Sequence, residues 1–289
     1  MMRAATTGVA TALLLFALAQ PVLGESDGSV ILIPFNPPLD RSLSYTVWQS
    51  QPGNGGTTVS VVRHYDLRFS KLGRGYRLVA SLASIKADAP PAISAVIIAA
   101  SQPLSGIAHE FQVSADGPTV SLVDPAGARR RLTTILGRLN DSLARSPANP
   151  VTRVAAGAVA RLTALDNAAL SALLFSDMRP LLLFASSELT PGRSPDMASQ
   201  HTKILDESVA TTTHLSVLPV RHDRIAIEEI TTSALTGPDG VSARLHSEVD
   251  YVVDHATGLS VSVVTRDRNG GSGGNVVSEK RRKLLMPSR

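Results

Sequence analysis

Apolar residues change their spacing twice along this chain, and that change limits what it can fold into. They alternate with polar residues through Leu43, Tyr45 and Val47, and again through Val59, Val61, Tyr65, Leu67 and Phe69. From Leu132 they recur every third or fourth position, through Ile135, Leu136, Leu139 and Leu143, with Leu162, Leu170, Leu173 and Leu174 continuing the stripe. Alternation returns after Val209, through Leu245, Val249, Tyr251 and Val253. A period of two marks a strand with one covered face; a period of 3.6 marks a helix with one apolar stripe. Strands, then helices, then strands argue for an α+β fold rather than a parallel sheet of alternating units. We expect a long, strongly curved antiparallel sheet, half-barrel-like, with the central helical insert packed on its concave face.

Turn chemistry divides the chain further. Gly53-Asn54-Gly55-Gly56, Gly73-Arg74-Gly75 and Asp116-Gly117 supply hairpin turns that favour positive φ. Pro90-Pro91 opens a short apolar helix, and Asp177 is placed to cap a further helix through Leu181 to Phe184. The expected plan has residues 1–24 as a signal peptide and 25–41 as a Pro-rich leader lying along the surface. Residues 42–289 then form a single domain: strands at 42–123, the helical insert at 124–188 and strands at 205–286. Residues 190–200 read as a linker, and Val276 to Leu285 as a last, basic edge strand.

The start of the chain has the three parts of a secretory signal. Arg3 is the charged region, Val9 to Ala19 the apolar core, and Val22-Leu23-Gly24 a small-residue cleavage site. Export with cleavage after Gly24, to the periplasm or beyond the cell, is the expected localisation. The apolar run is about half the roughly twenty residues of a membrane span. There is no cysteine, so neither a disulfide nor a lipid-modified cysteine contributes, and apolar burial must hold the fold. The basic excess is local, in Arg129-Arg130-Arg131 and Lys280-Arg281-Arg282-Lys283. Aromatic residues make up only 4% of the chain and none flanks these clusters, which argues against nucleic-acid binding.

A signal peptide, long antiparallel hairpins, a central helical plug and a closing Asp254-x-x-Thr257-Gly258-Leu259 turn together resemble exported half-barrel proteins. The plan is similar to that of the lipoprotein carriers of the Gram-negative periplasm and related secreted families. The resemblance covers most of the mature chain as architecture, and it carries over no ligand residue. It implies an apolar concavity that shelters a lipid or another apolar partner.

Candidate chemistry is sparse. His246, Glu248 and Asp250 alternate on one strand and so project together. A zinc site needs a ligand from a second segment, and none is evident. His64 with Asp66 shows the same pattern. His222-Asp223 sits between strands, where a turn is the ordinary home of such a pair. Glu228 and Glu229 are adjacent and point to opposite faces. There is no Gly-x-Ser-x-Gly elbow, and Gly270 to Gly274 lacks the residues of a phosphate loop. We therefore expect no catalytic residue, metal or cofactor. A lipid or other apolar ligand, an envelope protein or a membrane surface are the expected partners. The residues expected to line a ligand cavity are Leu132, Ile135, Leu136, Leu139, Leu173 and Leu174. Two alternatives stay open: a purely structural envelope protein with a fully packed core, and a hydrolase assembled from scattered residues such as His222, Asp223 and a serine.

Overall fold

The computed structural model describes residues 30–53, 56–101, 105–145, 150–193, 197–204, 207–218, 220–236, 242–270 and 272–286. The segment expected to be a signal peptide, residues 1–24, lies outside these residues. In chain order the strands are β1 (Ile31–Leu32), β2 (Ser42–Pro52), β3 (Thr58–Leu72) and β4 (Gly75–Asp88), followed by helix α1 (Pro91–Ser101). Strands β5 (Ala108–Val113) and β6 (Val120–Leu122) lead to helices α2 (Pro125–Ala144), α3 (Pro150–Ala164) and α4 (Asn167–Phe175). Short strands β7 (Glu188–Leu189) and β8 (Gly192–Arg193) precede β9 (Met197–Ile204), β10 (Glu207–Val217), β11 (Arg224–Thr236), β12 (Ser242–Asp254), β13 (Ser260–Asn269) and β14 (Asn275–Leu285).

Twelve strands form one open antiparallel sheet, ordered β6-β5-β4-β3-β2-β14-β13-β12-β11-β10-β8, with β9 also on β10. The fold is thus α+β, as the change of period requires. Two assignments need correction. The basic strand β14 is central rather than at an edge: it pairs with β13 on one side and with β2 on the other. Its alternation explains this, since Lys280, Arg282 and Leu284 point to the covered face while Arg281 and Lys283 are exposed. The stretch read as a linker contains β8 and the first half of β9, both paired to β10.

The leader also departs from its expected place on the surface. Ile31, Ile33 and Phe35 are buried, alternating with exposed Leu32, Pro34 and Asn36. The segment is therefore a strand-like wedge in the core and not a surface strap. Local chemistry holds it there. Ile33 N–H donates to Ser187 O at 2.8 Å and Asn36 N–H to Thr257 O at 3.0 Å. The Asp254-x-x-Thr257-Gly258-Leu259 turn forms the receiving surface. Asp254 accepts from both Thr257 N–H and Thr257 Oγ1, and pairs with Arg224 at 2.7 Å. Gly258 has φ +73°, and any Cβ there would lie 1.8 Å from Pro34 O, so only glycine admits the leader.

Asp124 caps α2 through Gly127 N–H at 2.7 Å with Pro125 in the first turn, and Asp166 caps α4 through Ala169 N–H at 2.7 Å. The helix expected through Leu181 to Phe184 is only a 3-10 turn at Arg179–Leu181. Even so, Phe175, Met178, Leu181, Leu182 and Ala185 enter one core cluster with Leu43, Leu67, Phe69, Leu78 and Phe111. Phe184 joins a second, with Ile31, Ile33, Ile225, Tyr251 and Val253. No helix among the described residues is long and apolar enough to cross a membrane.

Candidate functional site

Strand register arranges the covered face in rows, because directly opposed residues share a face. One row reads Arg63, Val47, Arg282, Val263, Tyr251, Ile227 and Val217. The next reads Val61, Gln49, Lys280, Thr265, Val249, Glu229 and Leu215. On the side toward Leu43, Leu67 and Phe69 the face is apolar and filled. On the far side it becomes polar, ending in a ladder of hydroxyls: Thr213 with Thr231 at 3.1 Å, and Thr211 with Ser233 at 3.2 Å.

Asp177 marks the border between these two halves. It leaves the covering segment and reaches down to the sheet, with its side chain only 13% exposed. Lys280 Nζ and Tyr65 Oη donate to its carboxylate, the latter at 2.8 Å, and Arg63 lies at 3.8 Å. Tyr45 Oη donates to its backbone oxygen at 2.8 Å. Burial would raise the Asp177 pKa; the adjoining Lys280 and Arg63 charges and the hydrogen bonds from Lys280 and Tyr65 outweigh it and hold the carboxyl below its ordinary value. Burial, reinforced by the Asp177 charge, pushes the Tyr65 phenol far up, so it stays a neutral donor.

A second polar group faces the first across the sheet. Tyr251 Oη donates to Glu229 at 3.0 Å, and Thr231 Oγ1 lies 3.5 Å from the same carboxylate. Burial raises the Glu229 pKa against these hydrogen bonds. Arg282 stands between the two groups. Its guanidinium donates to Thr265 Oγ1 at 3.2 Å, and its buried Nε–H meets no acceptor. Among the described residues no carboxylate lies within ion-pair distance of Arg282. Desolvating a cation without a partner is expensive, on the order of several kcal/mol per ion.

The residues expected to line a cavity differ in exposure. Leu136 is buried, Leu132, Ile135, Leu139 and Leu174 are half-buried, and Leu173 is 38% exposed. Leu132 and Leu136, with Arg129, Leu162, Leu165 and Leu170, surround a space of about 10 Å³. That volume admits roughly one water molecule. Ile135, Leu139, Leu173 and Leu174 are not part of its lining.

Sequence reasoning missed Asp177, Arg63, Lys280 and Arg282. Arg63 interrupts an otherwise apolar alternation between Val61 and Tyr65, and Lys280 and Arg282 alternate in the same way; that interruption was the available signal. The pattern His246-x-Glu248-x-Asp250 does put Glu248 and Asp250 together, on the outer face. Glu228 joins them from β11, with carboxylate oxygens within 4.8 Å of one another. The Arg266 guanidinium sits among these acids, 2.9 Å from Asp250 and 3.8 Å from Glu248, and supplies the positive charge itself. His246 instead lies 3.4 Å from Thr232 Oγ1. His64 contacts Thr46 at 3.0 Å. His222 and Asp223, both with positive φ, form the β10–β11 turn.

No protein-family model and no curated protein sequence matches this chain. Solved structures overlap it loosely. A protein of YmcC-like fold from Bacteroides fragilis, described as a candidate exported protein, is 8% identical with a TM-score of 0.28, covering 89% of this chain and 100% of its own. A LolA superfamily protein from Nitrosomonas europaea is 6% identical with a TM-score of 0.21, covering 87% of each. DynF, from the dynemicin biosynthesis pathway of Micromonospora chersina, is 8% identical with a TM-score of 0.19, covering 93% of this chain and 94% of its own. Overlaps of this size assign neither a family nor a function.

Proposed function

We propose that this chain is exported, with cleavage after Gly24, and acts outside the cytoplasm as a non-enzymatic protein that holds an apolar ligand or an envelope partner against the covered face of its sheet. The observation that carries the reading is the division of that face. One half is sealed by the leader and by Phe175 to Ala185. In the other half Val249, Leu215, Thr265 and the Arg63, Lys280 and Arg282 cations are only half-buried. A face that passes from apolar to polar suits a ligand with an apolar body and a polar end.

Strong curvature belongs to this proposal, and one contact supports it. Phe35 O accepts from Tyr76 on β4 at 3.3 Å, while the adjoining Asn36 N–H donates to Thr257 at the end of β12. In a flat sheet β4 and β12 stand five strand spacings apart, roughly 24 Å. Two adjacent residues and one tyrosine side chain do not reach that far.

The test is native mass spectrometry of the protein purified from its own envelope fraction. We expect a non-covalent adduct of lipid mass on a chain beginning at Glu25. A chain beginning at Met1 defeats export, and a bare chain that takes up no added lipid defeats ligand binding. The second result would favour a purely structural envelope protein. The nearly filled space beside Leu136 argues for that reading of the helical layer.

A further inference from the structure

We infer that the polar half of the covered face recognises the anionic head of a single-chain amphiphile, with Arg282 as the anchoring cation and Arg63 and Lys280 beside it. The inference rests on the ligand-binding reading above and names the ligand class for the same face. Arg63, Arg282 and Lys280 point in from β3 and β14, and Asp177 and the exposed Arg179, whose charge reaches Tyr251, come from the covering segment. Glu229 on β11 and Asp267 on β13 lie farther out. Asp177 is already engaged by Lys280 and Arg63. Glu229 is engaged by Tyr251 and shares Lys280's row with Thr265 and Val249 between them. Asp267, opposite Ser247, lies one row beyond Thr265, toward the hydroxyl ladder. Of the three cations that point in from the sheet, Arg282 is therefore the one left without a carboxylate, with one guanidinium N–H on a threonine and a buried Nε–H unused.

A guanidinium presents paired donors whose geometry matches a carboxylate or a phosphate. Val47 and Val263 flank Arg282 in its own row, and Val249 and Leu215 lie in the next. Val47 and Val263 are already buried in the core, so an acyl chain would lie along the half-buried Val249 and Leu215 and bring its charged end to Arg282. The shared chemistry is one negative head on one chain, which a fatty acid and a lysophospholipid both offer.

The experiment is a fluorescence titration of the exported protein with cis-parinaric acid and with its methyl ester, repeated for Arg282→Gln and Arg282→Lys. Oleate and lysophosphatidylglycerol serve as competitors. We expect the acid to bind more tightly than the ester. Arg282→Gln should weaken the acid by about tenfold while leaving the ester unchanged, since a charge-assisted hydrogen bond is being lost. Arg282→Lys should recover part of that loss, and its thermal melt shows whether the fold is kept. Displacement by oleate alone or by lysophosphatidylglycerol alone identifies the head group. Equal binding of acid and ester, unaffected by Arg282→Gln, overturns the inference and leaves ligand binding standing. Failure of both probes to bind defeats the functional reading as well.

Discussion

Helix α2 runs for 20 residues and buries Gly127, Ala128 and Leu136. The stretch from Ser176 to Ala185, with one 3-10 turn, buries Met178, Leu181, Leu182, Phe184 and Ala185. The leader buries Ile31, Ile33, Phe35 and Pro37 in a segment with almost no regular structure. Regularity and burial thus run in opposite directions in the two covers of this sheet. The helices pack chiefly on one another, α2 against α3 and α4, with Arg129 tied to Asn167 and to the Leu165 carbonyl. The irregular segments do the sealing, because a chain without a helix's diameter can follow a sheet closely and place an apolar side chain at nearly every contact. If this contrast is right, stability should respond to the leader and the covering turn far more than to the helical stripe.

The largest effect belongs to the leader. Phe35 packs edge-on against Tyr76 at 5.0 Å and against Phe69 at 6.3 Å between ring centroids. Phe35→Ala should lower unfolding free energy by about 3–5 kcal/mol, read by urea denaturation followed by circular dichroism. A loss below about 1 kcal/mol would return the leader to the surface.

Asp177 comes next, because it ties the covering turn to the sheet. Asp177→Ala leaves Lys280 and Arg63 without their counter-charge, and breaking a buried pair in this way costs about 3 kcal/mol. The pH dependence has a definite sign. The folded pKa is held below the ordinary 3.8, so the stabilisation is present above that value and is lost as pH falls through the lower folded value. Acid titration of the wild type should show this loss below about pH 4, and Asp177→Asn should flatten it. An unchanged acid limb in Asp177→Asn would separate the turn from the sheet.

The fold class, the hairpins and the positions of α1 to α4 were legible in the sequence, because period and turn chemistry are local properties. Which segment covers the sheet was not. Ile31, Ile33 and Phe35 alternate like a strand, but the prolines at 34, 37 and 38 suggested a strap, and only tertiary packing decides. The place of β14 was hidden for a similar reason: a basic run reads as an edge strand until its two faces are separated. Of the candidate site, the face of Glu248 and Asp250 and the turn at His222 were legible. Asp177 was legible only as a cap, since its partners lie 103 and 112 residues away in sequence.

Leu136 tests the helical layer itself. It is 5% exposed and borders a space of only about 10 Å³, so it is packed rather than free to line a cavity. Leu136→Ala should cost about 2–3 kcal/mol, the lower part of the range for buried leucine, because the helices around it can close in. A thermal melt with and without a fluorescent fatty acid reads the result. A loss of lipid binding with little loss of stability would make the helices, and not the sheet, the ligand surface.

The smallest effect should come from Leu173, and it sharpens the contrast most cheaply. Leu170 and Leu173 are three residues apart on α4, and the apolar stripe read from the sequence includes both. The fold separates them: Leu170 is 1% exposed and belongs to the main core cluster, whereas Leu173 is 38% exposed. Three residues on an α-helix advance about 300°, so two such positions share a face only loosely, and α4 is rotated to favour Leu170. Hydrophobic stabilisation scales with the area withdrawn from water. Leu173→Ala should therefore cost less than about 1 kcal/mol, while Leu170→Ala should cost about 3–4 kcal/mol. Parallel urea melts of the two variants measure the difference. Equal losses would mean that α4 lies flat on the sheet with its whole stripe engaged, and the helices would then share the sealing with the leader and the covering turn.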